Sequence, residues 1–134
     1  ELIPWLFRGT HSPMMSRSQA MSNWTPEDDK LATLAKGARS RVQASSGAAL
    51  RDETGRTYAS AQISVGHLDL SAIEIVIAQA AASGSTGIES VVVCATDNPG
   101  FSSSDIELIR TFAGTGVPLF QVNDAGDISD SQIT

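Results

Sequence analysis

Only one cysteine, Cys94, occurs in the 134 residues of this chain. That excludes an intrachain disulfide and any metal site built from several thiolates of one chain, and it suits a reducing cytoplasm. Basic residues are scarce as well: nine Lys and Arg against fifteen Asp and Glu give a net charge of −6. Nucleic-acid binding draws on clustered cations that displace phosphate counterions. The densest basic spot here is Arg39 with Arg41, which is too little for such a surface. No apolar run reaches the ~20 residues that span a bilayer. The opening Glu1-Leu2-Ile3-Pro4-Trp5-Leu6-Phe7-Arg8 is apolar, but Pro4 interrupts it and no basic region precedes it, so it is a poor signal peptide. There is no G-x-G-x-x-G or Walker pattern, and Gly84, Gly87 and Gly100 read as turn residues.

What is present fits one globular domain. Hydrophobic residues make up 41% and charged residues 18%, far from the composition of disorder, and a chain of this length can close one core. Met14, Met15 and Met21 follow a start without Met, so residues 1–22, with His11 among them, read as a leader or upstream extension without a role in the fold. The single domain is expected over 23–134.

The chain is built around Ser71–Gly84. Ser71 followed by Glu74 is an S-x-x-E capping box, in which hydroxyl and carboxylate satisfy amides that the first turn leaves unpaired, and Gly84 supplies a left-handed stop. Between them only Glu74 and Gln79 are polar, which predicts a helix covered on most of its circumference, by its own sheet and by another subunit. Ahead of it, Thr25 caps a helix with Pro26 in its first turn, and Leu31, Leu34, Ala35, Ala38 and Val42 recur at helical spacing. Gly47–Arg51 and Thr57–Ile63 flank Asp52-Glu53-Thr54-Gly55, which is hairpin chemistry.

After the central helix, Ile88–Ala95 is a nearly continuous β-branched run, the pattern of an interior strand covered on both faces. It is expected to lie parallel to a hairpin strand. Asp97-Asn98-Pro99-Gly100 breaks the chain, and Ser104 with Glu107 predicts a second capping box opening a helix through Leu108, Ile109, Phe112 and Ala113. Val117–Val122 is another strand, closed by Asn123-Asp124-Ala125-Gly126, and the polar end leaves room for at most a short edge strand. The sum is an α/β fold with helices on a mixed sheet of four to five strands.

Three stretches together resemble the cytidine deaminase family over roughly Thr25 to Ile128. Gly47-Ala48-Ala49-Leu50 with Asp52, Gly55 and Arg56 is similar to the family's opening G-A-A-L strand and D-G-R turn. Ser71–Gly84 is similar in length and pattern to the helix that begins with C-A-E or H-A-E, and Val117–Gly126 to a V-x-x-V-N-D-x-G ending. Within the family the chain most resembles a degenerate actinobacterial-type branch. The resemblance implies a three-layer α/β/α fold and a zinc ion, held by three Cys or His ligands, that activates water while a Glu shuttles protons.

Carried over residue by residue, that pattern places Ser71 at the first ligand, Ile73 at the catalytic Glu, and Ser102 and Asp105 at the two Cys positions of P-C-x-x-C. The N-x-E pair for the ribose falls on Ser60-Ala61-Gln62, and the aromatic leading into the first strand falls on Ala44. Hydroxyls are poor zinc ligands beside thiolate and imidazole, and Ile73 cannot move a proton. The degenerate pocket positions are therefore Ser71, Ile73, Ser102, Asp105, Ser60 and Gln62, with no catalytic residue, no metal ligand and no cofactor assigned.

Other candidates have plainer readings. His67 with Asp69 could form a relocated ligand or base, against a loop histidine ahead of the helix. Ser71 could be a nucleophile, and Ser102, Ser103 and Ser104 an anion cup, against plain capping. Cys94 in its apolar strand behaves as a small hydrophobe. Asp97 and Asp105 flank a strand's C-terminal end, where open α/β sheets place ligands. The reading that follows is a cytidine deaminase-like protein without zinc or deamination, acting as a cytoplasmic binding or interaction module. It is expected to self-associate as a dimer or tetramer and to take a nucleoside-like small molecule, with no nucleic-acid or membrane partner. An active (deoxy)cytidine deaminase with an unconventional site, and a scaffold for a partner protein, are the alternatives.

Overall fold

The computed structural model describes residues 23–96 and 99–134. Helix α1 (Pro26–Val42) starts at Thr25, as its sequence predicts. Proline suits a position whose amide has no helical acceptor, and Asp28 Oδ2 accepts from the Thr25 amide at 3.0 Å. Then come β1 (Ser46–Asp52), β2 (Thr57–Ala61), β3 (Ile63–Val65), β4 (Leu68–Leu70), α2 (Ala72–Ala82), β5 (Ile88–Ala95), α3 (Ser103–Ala113), β6 (Pro118–Val122) and β7 (Ile128–Ile133).

Five strands form one sheet in the order β2-β1-β5-β6-β7, and β3 with β4 makes a separate hairpin. Strands β5 and β6 pair in parallel, and the other neighbours in the sheet are antiparallel. The expected parallel relation of β5 to a strand of the opening hairpin holds in direction but not as a hydrogen-bonded pair. β5 shares the direction of β2, from which the α2 crossover carries the chain, yet its bonded neighbour is β1, antiparallel to it. The helical crossover sets direction relative to the strand it leaves, and β1 already occupies the inner edge of β2.

Alternation along the strands divides the core in two. Ala48, Leu50, Val91, Val93 and Leu119 join Val76 and Ile77 of α2 and Ile109 of α3 on one face. Ala49, Val92, Cys94, Phe120 and Val122 meet Leu31 and Ala35 of α1 on the other. Trp24 stands edge-on to Phe120, with ring centroids 5.0 Å apart. The result is three layers, α/β/α. Gly47 lets α1 come close, because a Cβ there would lie 2.3 Å from the Ala35 carbonyl oxygen.

Several local expectations shift. The run Thr57–Ile63 divides at Gln62 into β2 and β3, and the polar C-terminal end forms a six-residue strand. Helix α3 is capped by Ser102 with Asp105, two residues before the expected Ser104/Glu107 box, and Glu107 instead pairs with Arg110 at 2.8 Å. Asp105 stands where its carboxylate reaches back to the Ser102 amide, which Glu107, two residues further along, does not. Helix α2 ends as expected: the amides of Gly84 and Ser85 donate to the carbonyls of Ala81 and Ala80, and Gly84 has φ +92°. Its Ala78, Gln79, Ala81 and Ala82 are exposed, so the sheet covers one side of the helix only.

Candidate functional site

Strand register brings three segments to one end of the sheet. Gly47 lies opposite Ala61 and Ser46 opposite Ala95, so Ser46, Gln62 just past β2, and the last residue of β5 stand together. The β3–β4 hairpin and the N-termini of α2 and α3 close on the same end and bound a cleft of about 430 Å³. Ser45 Oγ and Ser46 Oγ donate to Gln62 Oε1 at 2.6 and 2.9 Å. This uses the amide oxygen and leaves the nitrogen as the donor that the side chain can offer.

The two helix starts are joined to each other. Ser71 Oγ accepts from the Glu74 amide at 3.0 Å, and Glu74 Oε1 accepts from the Ser71 amide at 2.7 Å. Asp105 repeats the pattern, with Oδ2 accepting from the Ser102 amide at 3.0 Å while Ser102 Oγ accepts from the Asp105 amide at 3.1 Å. Between the two boxes Ser71 Oγ donates to Asp105 Oδ1 at 2.7 Å. Two oxygens on one tetrahedral zinc, with bonds of about 2.0 Å, would stand about 3.3 Å apart. Here they share a proton. Among the described residues no three His, Cys, Asp or Glu side chains converge as donors for a metal ion.

The inner wall is apolar and fixed by one close approach. Phe101 and Ala95 are buried, and the Gly100 amide donates to Gln121 Oε1 at 2.7 Å. A Cβ at Gly100 would lie 2.3 Å from that of Ala95, so glycine is what lets this loop sit on the end of β5.

Of the six positions read from sequence, Ser71, Ser102, Asp105 and Gln62 line the cleft. Ser60 does not, and its Oγ donates to the Ala61 carbonyl. Ile73 is in the core and is 2% exposed. Ala44 lies outside the cleft, with its carbonyl accepting from Arg39 Nη1 at 3.2 Å. His67 is exposed at the hairpin tip and is not part of the wall, whereas Asp69 is. Cys94 faces α1, where burial pushes its thiol up and Arg39 only partly opposes this, so it is no activated nucleophile. Asp97 and His11 lie outside the described residues.

Sequence reasoning missed Ser45 and Ser46 as wall residues; their place directly before the first strand was the available signal. It also read Glu74 as a cap alone, though the side chain that closes the box also lines the cleft. The interlocked boxes predict that Ser71→Ala lowers unfolding free energy by about 1.5 kcal/mol, one cap plus one hydrogen bond to a carboxylate. Urea denaturation of Ser71→Ala, Asp105→Ala and the double variant should show coupling of about 1 kcal/mol. Additive losses would mean that the contact between the helices carries no energy.

A family model described as cytidine deaminase-like matches residues 24–126. Among solved structures, the crystal structure of cytidine deaminase from Mycobacterium leprae superposes with a TM-score of 0.55 at 19% identity, covering 78% of this chain and 91% of that one. No curated protein sequence matches.

Proposed function

The chain belongs to the cytidine deaminase-like family, and we propose that within it this protein is a metal-free small-molecule binding module that does not deaminate its ligand. The observation that carries this reading is the Ser71–Asp105 hydrogen bond. Two positions that the family pattern assigns to zinc ligands satisfy each other instead, and each is further committed to its own capping box. Serine hydroxyls and one carboxylate are a poor donor set for zinc. The family's proton carrier is replaced by Ile73, which packs into the core.

The cleft offers a concave, mostly polar lining around Ala95 and Phe101, and concave sites are where small molecules bind. Self-association as a dimer or tetramer belongs to the same reading, supported by the exposed small-residue side of α2, as does a cytoplasmic location, supported by the lone reduced cysteine. No described helix is long and apolar enough to cross a membrane.

Elemental analysis of purified protein, followed by an assay of cytidine and deoxycytidine deamination, tests the proposal. Zinc far below one ion per chain and no turnover are expected. Stoichiometric zinc with turnover abolished by a chelator would overturn it in favour of an active deaminase.

A further inference from the structure

We infer that Gln62, Ser45 and Ser46 make this cleft selective for a neutral amide or lactam edge, in which a carbonyl oxygen stands beside an N–H group, an inference that rests on the reading of the cleft as a metal-free small-molecule site. All three residues line it. Gln62 follows the last residue of β2 and is half-buried. Ser45 Oγ and Ser46 Oγ both donate to its Oε1, which occupies the two lone pairs of that oxygen. The two N–H groups on Nε2 find no acceptor among the described residues.

Within the chain this side chain therefore serves only as an acceptor, and a glutamate would fill that role equally well. What the carboxamide adds is a donor for something else. Each serine hydroxyl carries a single hydrogen, already spent on Gln62, so toward a ligand Ser45 and Ser46 offer lone pairs alone. The wall thus sets N–H donors beside oxygen acceptors. The backbone holds them there, since the Thr96 amide donates to the Ser45 carbonyl and the Gln62 amide to the Ser46 carbonyl, each at 3.1 Å. Groups placed before binding need little ordering when a ligand arrives. A carboxylate would satisfy Nε2 but bring no hydrogen for the serines, and an N-alkylated lactam has the same defect. A lactam with a free N–H answers both, its carbonyl accepting from Nε2 and its N–H donating to a serine oxygen.

NMR titration of the ¹⁵N-labelled full chain with 2-pyridone, 1-methyl-2-pyridone and benzoate tests this, with the Gln62 side-chain signals identified by their loss in Gln62→Glu. 2-Pyridone is expected to shift those signals and to bind about tenfold or more tighter than either of the other probes. Its affinity should fall about tenfold in Gln62→Glu, which keeps an acceptor for both serine hydroxyls and should retain the parent's folded spectrum. Equal or tighter binding of 1-methyl-2-pyridone or benzoate, or 2-pyridone binding that is indifferent to Gln62→Glu, overturns the lactam selection. Silence from all three probes overturns it as well, while the metal-free reading is decided separately by zinc content.

Discussion

Replacing Asp52 by alanine is expected to lower the unfolding free energy by about 3 kcal/mol, read from urea denaturation at neutral pH. Asp52 is fully buried at the end of β1. Its Oδ1 accepts from the Thr54 amide at 2.9 Å, Thr54 Oγ1 at 2.7 Å and the Arg56 amide at 2.9 Å. Its Oδ2 accepts from Arg56 Nε at 3.0 Å and from Ser85 Oγ. The Arg56 side chain is 48% exposed, so the ion pair itself adds little. The larger loss is the set of donors left without an acceptor, because this carboxylate holds the hairpin turn to the segment leaving α2.

The same network fixes a pH dependence. Burial pushes the Asp52 carboxyl up, but hydrogen bonds from Ser85, Thr54 and Arg56 together outweigh it and hold the group well below the usual carboxylate range. A folded value below the unfolded one of about 3.9 means that its contribution is complete above about pH 5. It is lost as pH falls through the unfolded value toward the folded one. Stability of Asp52→Asn should therefore fall less steeply than the parent between pH 5 and pH 3. Parallel slopes would show that the network does not perturb this carboxyl.

The fold was legible where chemistry is local. Thr25-Pro26, Ser71 with Glu74, Gly84 and Asp52-Glu53-Thr54-Gly55 each specify their own turn, and the structure places caps, stop and hairpin there. Strand order was less accessible, because the β-branched run at Ile88–Ala95 announces an interior strand but not which neighbour it bonds. The second capping box shows the limit of pattern matching. Ser102-x-x-Asp105 and Ser104-x-x-Glu107 are both acceptable local signals, and the choice falls to the pair that the Gly100 turn and the Ser71 contact hold in place. The wall contributed by Ser45 and Ser46 depends on cross-strand register, which sequence does not state. The Ser71–Asp105 contact, 34 residues apart in the chain, was not visible until the helix starts were brought together.

Ile73→Glu, which puts a carboxylate where the proposed reading sets the family's proton carrier, is expected to destabilise the protein by about 4 kcal/mol rather than create a deaminase. Ile73 is 2% exposed and belongs to the cluster with Ala48, Val76 and Leu119. Burying such a side chain contributes about 1.5–3 kcal/mol, and a carboxyl placed there would have to be desolvated without a partner. The cleft cannot readily take the new group either, since Ile73 is not among its lining residues. Adding Ser71→Cys, Ser102→Cys and Asp105→Cys would supply thiolates while removing the Ser71–Asp105 hydrogen bond and the side-chain half of each capping box. Zinc uptake by that triple variant therefore competes with the loss of caps on both helices. Urea denaturation of Ile73→Glu alone, and a deamination assay of the fourfold variant with added zinc, measure the two parts. A stable Ile73→Glu protein that deaminates cytidine once the cysteines are present would show that the helix start had kept its catalytic geometry. Loss of stability without turnover would show that the position has become part of the core, and that the route back requires repacking α2 against the sheet as well as restoring the ligands.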